Sequence, residues 1–171
     1  MAKPALKQTN WYVIQVITGS EQLICNNLIQ IMDASLYHHC FVPMAETMHK
    51  KDGKYIKITK PLFPGYLFLI TDKIEEAQAN IWKIARFKRI LRTGNSFVPL
   101  EEAEVDVFRS LTDEAFNVSL SKGFIVGDEI TVTEGPLKGH EGRIKKIDRH
   151  KRMAIIQVPF IGKETNVRMP L

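Results

Sequence analysis

The chain has 171 residues, of which 44% are hydrophobic, and its formal net charge is +5. This length and composition support one domain or two small ones with an apolar core, which excludes an intrinsically disordered chain. Its only cysteines, Cys25 and Cys40, form no disulfide framework, and no apolar run suits a membrane helix or a secretion signal, so we expect a cytoplasmic protein with reduced thiols and no membrane contact.

The chain begins with a predicted strand and a predicted helix. Residues 11–17, WYVIQVI, are aromatic and β-branched, which favours a strand. A polar turn then interrupts the apolar run, and Ser20 is a typical helix N-cap. Behind it, apolar residues at helical spacing predict one buried stripe, formed by Leu23, Ile24, Leu28, Ile31 and Met32.

A hairpin and a central strand follow. Residues 39–44 predict a short strand, and the lysine-rich segment 45–59 has the composition of a solvated, mobile hairpin tip. Residues 62–70, LFPGYLFLI, form the most apolar stretch of the chain. They predict a central strand whose start is marked by Pro64 and Gly65.

Two further helices complete the first part of the sequence. The second helix is predicted to start at a capping box formed by Asp72 and Glu75. Its buried stripe is predicted to comprise Ile74, Ala77, Ile81 and Ile84. After a short strand at 89–92, a third helix at 101–111 has one apolar face, formed by Ala103, Val107, Phe108 and Leu111. This order of elements is typical of a ferredoxin-like domain with an extra helix.

The pattern changes in the last third of the chain. Short strands at 130–133, 143–147 and 153–158 alternate with turns rich in Gly, Pro and charge, which is typical of a small five-stranded β-barrel. The apolar period fades before these strands, which predicts a linker. We therefore predict a mixed α+β chain of three parts: a ferredoxin-like domain with an antiparallel sheet (1–112), a linker (113–122) and a barrel (123–171).

One segment of the second half resembles a known motif. Residues 127–148, GDEITVTEGPLKGHEGRIKKID, are similar to the KOW motif, a glycine-bounded turn between two barrel strands with a basic tail. Gly135, Gly139 and Gly142 are expected to take the positive φ of a tight turn. Ribosomal proteins also carry this motif, so alone it does not identify a family.

Further segments resemble the NusG family of transcription factors. WYVIQ at 11–15, PLFPGYLF at 61–68 and FIGK at 160–163 match that family in order and spacing. The resemblance implies an N-terminal NGN domain of ferredoxin-like fold and a C-terminal SH3-like KOW barrel. The PLFPGYLF run and the basic ending NVRMPL are more similar to the specialised paralogues of the RfaH and LoaP type than to the housekeeping factor.

The resemblance implies a bacterial elongation and processive antitermination factor that binds RNA polymerase through its first domain. Tyr66 and Phe68 point to one face of their strand, which the helices would leave as an open apolar groove. The alternative is that both faces are core. In the family the groove takes the clamp coiled coil of the polymerase, and a polar stretch reaches the gate loop. The predicted polymerase-binding residues are Trp11, Gln15, Phe63, Tyr66, Phe68, Gln78 and Asn80.

A basic cluster follows the KOW turn. Residues 123–171 carry nine basic and six acidic side chains, a net charge of +3. Such a surface suits contact with RNA phosphates, and the resemblance to LoaP implies a nascent RNA hairpin as ligand. The alternative is a solvated charged turn. The predicted nucleic-acid-binding residues are Arg143, Lys145, Lys146, Arg149, His150, Lys151 and Arg152, together with Arg86, which the resemblance places near the nontemplate DNA strand.

No pattern in the sequence predicts catalysis. The adjacent His38 and His39 would point to opposite faces of a strand and cannot share a metal, and no nucleophile or phosphate-loop motif is present. We expect a monomer without enzyme activity, metal or cofactor. Two alternatives stay open: a housekeeping NusG whose KOW domain binds the Rho helicase or a ribosomal protein, and a ribosome-associated KOW protein that binds RNA.

Overall fold

The computed structural model describes residues 9–84, 87–90, 92–93 and 96–171. Within them the chain forms three α-helices and thirteen β-strands, which confirms the predicted mixed α+β class. In chain order these elements are β1 (Asn10–Val16), α1 (Glu21–Ile31), β2 (His39–Phe41), β3 (Met44–Lys51), β4 (Lys54–Pro61), β5 (Tyr66–Thr71), α2 (Ile74–Ile81), β6 (Phe87–Ile90), β7 (Arg92–Thr93), β8 (Ser96–Phe97), α3 (Glu102–Leu111), β9 (Lys122–Val126), β10 (Glu129–Glu134), β11 (Ile144–Asp148), β12 (Met153–Phe160) and β13 (Lys163–Pro170).

The described residues divide into two compact units. The first unit comprises the described residues within Met1–Pro43 and Phe63–Glu101, and the second comprises Met44–Leu62 and Glu102–Leu171. The second unit therefore groups the β3–β4 hairpin and α3 with the barrel strands. The predicted boundaries at 112 and 122 divide the chain differently, and they stay a prediction.

The first unit is built on an antiparallel sheet with the strand order β2-β5-β1-β6. Directly opposite residues share a face, so Ile14 lies beside Leu67, and both side chains are fully buried. On the same face, Cys40 lies opposite Leu69, and its Sγ is 3.7 Å from Sγ of Cys25 on α1. Helix α1 therefore packs on this face of the sheet.

The predicted buried stripe of α1 is confirmed at Ile24, Leu28 and Met32 and is wrong at two positions. Leu23 and Ile31 were predicted to be buried, but they are 52% and 45% exposed. The helix is rotated so that the small Cys25 side chain faces the sheet instead. The apolar residues that α1 and its C-cap bury against the fold are Ile24, Cys25, Leu28 and Met32.

The capping box predicted at Asp72 and Glu75 is wrong. The N-cap of α2 is Lys73, whose backbone N–H donates to Thr71 Oγ1 at 2.8 Å. The Asp72 carboxylate is 3.0 Å from His38 Nε2 and so is engaged away from the helix start. The predicted stripe is confirmed at its three buried positions, Ile74, Ala77 and Ile81.

The second unit begins with a long hairpin. Strands β3 and β4 have eight residues each and pair antiparallel along their whole length, which confirms the predicted hairpin. Asp52 and Gly53 form the turn with φ angles of 49° and 78°. A two-residue turn with two positive φ angles matches the twist of the strands that it joins.

Strands β9 to β13 form the barrel part of the second unit, with the predicted number of five strands. They pair as β9–β10 and as β11–β12–β13. Gly135 and Gly139 have the predicted positive φ, whereas Gly142 does not, because it lies in a short 3₁₀ helix. A Cβ on Gly135 would come within 2.6 Å of Ser121 Cα, so only glycine fits there. Alternate side chains of β12 face the core, namely Ala154, Ile156, Val158 and Phe160.

The segment predicted as a linker packs within the second unit. Phe116 and Val118 are buried. Val118 N donates to Met44 O at 2.8 Å, and Val118 O accepts a hydrogen bond from Glu46 N at 3.0 Å. These contacts are isolated backbone pairings and not an amphipathic element, which is why the apolar period fades there.

Helix α3 buries only part of the predicted apolar face. Ala103 is exposed, whereas Glu104, Phe108 and Leu111 are buried. Glu104 Oε1 accepts a hydrogen bond from Gly162 N at 2.8 Å, so the carboxylate is bound although it is buried. The prediction is confirmed at Phe108 and Leu111, whereas the buried carboxylate of Glu104 interrupts the apolar stripe and could not be identified from it.

Candidate polymerase-binding and RNA-binding surfaces

Most residues predicted to bind RNA polymerase lie on one face of the sheet in the first unit. The β1–β5 register places Trp11 and Gln15 of β1 on the same face as Tyr66 and Phe68 of β5. This face is opposite to the one that α1 covers. Phe63 reaches it from the loop before β5, where its ring centroid is 5.9 Å from that of Phe68.

The predicted open groove is wrong, because three of these aromatic side chains are buried. Phe68 is 0% exposed, Trp11 is 2% exposed and Phe63 is 8% exposed. Phe41 of β2 stacks on Phe68 with ring centroids 5.5 Å apart, and Trp11 meets Phe41 edge-on at 5.6 Å. Aromatic pairs in such arrangements contribute about 0.5–1.5 kcal/mol each beyond their buried area. The alternative prediction, in which both faces of the sheet are core, holds for these three residues.

Tyr66 and Gln15 form the accessible edge of this face. Both side chains are half-buried. Gln15 Oε1 accepts a hydrogen bond from Nε of the exposed Arg89 at 2.9 Å. We name Gln15, Tyr66 and Arg89 the polar edge. Tyr and Arg are enriched among the residues that dominate binding at protein interfaces.

A buried carboxylate that sequence analysis missed fixes the loop before Tyr66. Glu21 is 3% exposed, and its two carboxylate oxygens accept hydrogen bonds from Gly65 N at 2.7 Å and Gly19 N at 2.8 Å. Gly65 has a φ of 85°, and a Cβ there would lie 3.0 Å from Thr18 Oγ1. Glu21 thereby positions Tyr66 at the start of β5. An acidic residue in a first helical turn predicts only a helix start, so no sequence signal identifies this role.

Gln78 and Asn80, predicted to reach the gate loop, lie apart on α2. Both are half-buried, and residues two positions apart on a helix point in different directions. Asn80 lines a cavity of about 550 Å³ together with residues of α1 that include Leu23 and Ile31. Gln78 does not line this cavity. The structure therefore does not bring the two residues together.

The β11–β12 hairpin groups most residues predicted to bind RNA. Its turn carries Arg149, His150, Lys151 and Arg152, and all four side chains are exposed. Asp148 Oδ1 accepts a hydrogen bond from Lys151 N at 3.0 Å, and this backbone hydrogen bond holds the pKa of Asp148 below its usual value. The carboxylate thus stays ionised and orders the turn. We name residues 149–152 the basic turn.

The three basic residues before the turn differ in their exposure. Lys145 and Lys146 are both exposed, because the β11–β12 register shifts between Ile144 and Lys146 and a bulge interrupts the alternation. Arg143 is half-buried, and its Nη1 donates a long hydrogen bond of 3.4 Å to Gln157 O. Arg143 therefore lies at the other end of β11 from the basic turn and is held within the barrel.

Tyr55 is a neighbour of the basic turn that sequence analysis missed. It lies on β4, and the guanidinium carbon of Arg152 is 4.8 Å from the centre of its ring, which is a cation–π distance. The Tyr55 side chain remains 44% exposed. The two residues are far apart in the chain, so no local pattern predicts their contact.

Arg86, predicted to lie near the nontemplate DNA strand, is outside the described residues. Among the residues that the structure does describe, no group of three or more His, Cys, Asp or Glu side chains could hold a metal ion. In the same ranges, none of the helices has the length and apolar character that crossing a membrane requires.

Two family models match the chain. The model for "Transcription termination factor nusG" matches residues 9–109, and the model for the KOW motif matches residues 126–158. The first match alone covers more than half of the chain. The two matches include WYVIQ at 11–15, PLFPGYLF at 61–68 and the KOW-like segment at 127–148, whereas FIGK at 160–163 lies beyond them.

Relatives match over most of their length. The "Transcription termination/antitermination protein NusG" of Rickettsia conorii is 29% identical, over 93% of this chain and 85% of its own. The protein of the same name from Halalkalibacterium halodurans is 27% identical over 95% of each chain. A solved structure of Thermotoga maritima NusG, which concerns its domain interaction, covers 96% of this chain and 95% of its own with a TM-score of 0.56 at 20% identity. That likeness supports the fold described above.

Proposed function

The chain belongs to the NusG family of transcription termination/antitermination factors, and from that premise we propose that it is a specialised elongation factor of the LoaP and RfaH type. It binds RNA polymerase through the first unit and nascent RNA through the basic turn. Factors of this family are non-enzymatic and bind RNA polymerase. The specialised part of the proposal is therefore the RNA contact.

The observation that carries the RNA contact is the exposed and ordered basic turn. Lys and Arg side chains that neutralise phosphates release counterions. The logarithm of the affinity for single strands therefore falls with the logarithm of the salt concentration, with a slope of about 0.7 per phosphate. Unpaired bases of RNA loops stack on guanidinium and aromatic planes. Arg149, Lys151 and Arg152 supply the charge, and Arg152 and His150 supply the planes.

On the polymerase side, the polar edge makes the direct contact. Tyr66 and Gln15 are accessible, whereas the buried rings of the same face support them. The partner is the clamp coiled coil of the largest polymerase subunit. Gln78 and Asn80 diverge on α2, so a second contact with the gate loop uses one of them. Arg86 adds a contact with the nontemplate DNA strand.

The two contacts act together as a bridge. Once the polymerase is bound, capture of the nascent RNA becomes an intramolecular event with a high effective concentration. Two modest affinities then give a persistent complex. The factor holds the polymerase clamp closed, which disfavours pausing and the action of terminator hairpins.

The housekeeping role is the second candidate, and the relatives' names favour it. The proteins of Rickettsia conorii and Halalkalibacterium halodurans both bear the general name NusG. In that role the barrel binds a protein, such as Rho or a ribosomal protein, and the basic turn is only a solvated surface. A ribosome-associated KOW protein fits less well, because the match to the NusG family spans residues 9–109.

Charge reversal of the basic turn distinguishes the two roles. In the full chain, Lys151→Glu with Arg152→Glu should weaken binding to a stem-loop RNA by about tenfold or more. The slope of log affinity against log salt concentration should fall by the amount expected for the loss of about two phosphate contacts. The matched control is Lys73→Glu with Lys83→Glu, an equal change of charge on exposed lysines of the first unit. Equal weakening by both pairs, or a wild-type chain that binds no RNA, would favour the housekeeping role.

A further inference from the structure

We propose that Tyr55 and Arg152 form a stacking platform for an unpaired RNA base, which makes the β3–β4 hairpin part of the RNA-binding surface. The inference rests on the proposed RNA-binding function and specifies it. It assigns the ligand to unpaired RNA, such as the loop of a hairpin, and it gives the lysine-rich hairpin a role beyond that of a solvated tip.

The backbone holds Arg152 in place at the platform. Its φ is 51°, a left-handed conformation that is uncommon for residues other than glycine. Its carbonyl oxygen accepts a hydrogen bond from Leu171 N at 3.0 Å. The guanidinium then rests against the Tyr55 ring at 4.8 Å. A side chain that is already positioned loses less conformational entropy when a ligand binds.

Both members of the platform remain accessible. Tyr55 is 44% exposed, and Arg152 is an exposed residue. Bases splayed out of an RNA loop stack on aromatic rings and on Arg guanidinium planes. The platform presents one of each, in contact with one another, at the surface of the second unit.

Positive charge surrounds the platform on both of the elements that form it. Lys50 lies directly opposite Tyr55 in the β3–β4 register and so shares its face. On the barrel side, Arg149 and Lys151 flank Arg152 in the basic turn. The hairpin segment 44–62 contains two acidic residues and five lysines, which are Lys50, Lys51, Lys54, Lys57 and Lys60. Phosphates on either side of a stacked base would therefore meet cations.

A cavity beside Arg152 suits the base next to the stacked one. It has a volume of about 330 Å³, its walls include Ile125, Ile130 and Ile147, and Arg149 and Arg152 also line it. Apolar walls with a few polar groups are typical of sites that hold small organic ligands. The bases of an RNA duplex are paired and stacked inside the duplex. Only an unpaired segment can therefore place one base on the platform and the next base in the cavity.

Tyr55→Ala tests the platform in the full chain. The probe is a stem-loop RNA whose unpaired loop carries a fluorescent adenine analogue, titrated over a salt series. Loss of one stacked base should weaken binding about tenfold. The salt dependence should stay unchanged, because no charge is removed. Tyr55→Phe should bind as the wild type does.

Ile56→Ala is the matched control. Ile56 is the next residue of β4, is 42% exposed and faces the other side of the hairpin. The control should bind the stem-loop RNA as tightly as the wild type, and equal thermal unfolding of both alanine variants should show that the hairpin is intact. Equal weakening by Ile56→Ala and Tyr55→Ala would overturn the platform.

Two other outcomes separate the platform from the proposed function. Wild-type affinity of Tyr55→Ala, with weakened binding by Lys151→Glu and Arg152→Glu, would overturn the platform and leave RNA binding by the basic turn in place. The platform would also be overturned if Tyr55→Ala weakened binding to a blunt RNA duplex as much as it weakens binding to the stem-loop RNA, since a duplex offers no unpaired base. If the wild-type chain does not bind RNA, both the stacking platform and RNA binding by the basic turn are overturned.

Discussion

Tyr66 and Phe68 share one face of β5 but differ in depth. Phe68 is fully buried, with the rings of Phe41 and Phe63 packed against it. Tyr66 is half-buried in the polar edge, opposite Gln15. The buried ring stabilises the fold, whereas the edge ring is accessible to a partner. The two positions therefore separate stability from binding.

Substitutions at these two positions should have different consequences. Phe68→Ala should lower the free energy of unfolding by about 3–5 kcal/mol, because it removes a buried ring and leaves a cavity. Tyr66→Ala should change that free energy little, yet weaken binding to core RNA polymerase by about 2 kcal/mol or more, as expected for an interface anchor. Denaturant unfolding and equilibrium binding to purified polymerase measure the two quantities.

Tyr37→Ala is the control for the polymerase contact. Tyr37 is another half-buried tyrosine of the first unit, outside the sheet. This variant should bind polymerase as the wild type does. If Tyr66→Ala binds polymerase with wild-type affinity, the polar edge is not the contact.

At the scale of elements, one carboxylate fastens the β3–β4 hairpin to the rest of the second unit. Glu46 Oε1 lies 3.0 Å from Lys57 Nζ, and Oε2 accepts a hydrogen bond of 3.3 Å from Leu120 N. The hydrogen bond from Lys57 is the main reason that the pKa of Glu46 lies below its usual value. The ionised Glu46 carboxylate therefore stabilises the fold fully at pH values above the ordinary glutamate pKa. This stabilisation is lost as pH falls through the lowered pKa of Glu46.

Glu46→Gln should consequently cost stability at neutral pH and less in acid. The difference in unfolding free energy between the wild type and this variant should narrow as pH falls below about 4.3. The effect should be modest, because solvent screens a partly exposed pair. Urea unfolding over a pH series measures it, with Glu129→Gln on the exposed part of β10 as control. A difference that stays constant with pH would contradict this role.

The elements themselves and most of their buried apolar positions were predictable, but the helix start at α2 and the buried polar positions were not. The β-branched run of β1 and the apolar run at 62–70 carry local signals, and both form central strands. The start of α2 depends on Thr71, and the buried face of α3 depends on the bond between Glu104 and Gly162. Such contacts join residues whose partners a local pattern cannot identify.

At the scale of the whole molecule, the site residues were predictable only where the property is local in sequence. The basic turn is a run of charge at 149–152, and the structure exposes all of it. Phe68 is buried by rings from other elements. The alternation of side chains along β5 therefore predicted the sheet face on which Phe68 lies but not its burial. Tyr55 meets Arg152 only in the folded second unit.

The polar edge and the basic turn belong to different units, so they can be changed separately. Tyr66 lies in the first unit, and Lys151 and Arg152 lie in the second. A function that needs both contacts should therefore fail when either one is removed. A housekeeping function should depend on the polymerase contact but not on RNA binding by the basic turn.

Coupling of polymerase to nascent RNA should be visible as readthrough of an intrinsic terminator. Single-round transcription with purified bacterial polymerase would compare a template encoding a leader stem-loop that the chain binds with one lacking it. We expect the wild type to raise readthrough only on the leader template, and expect Tyr66→Ala and the pair Lys151→Glu with Arg152→Glu each to abolish that gain. Equal readthrough on both templates, or a gain that survives the charge reversal, would show that the chain does not couple polymerase to nascent RNA.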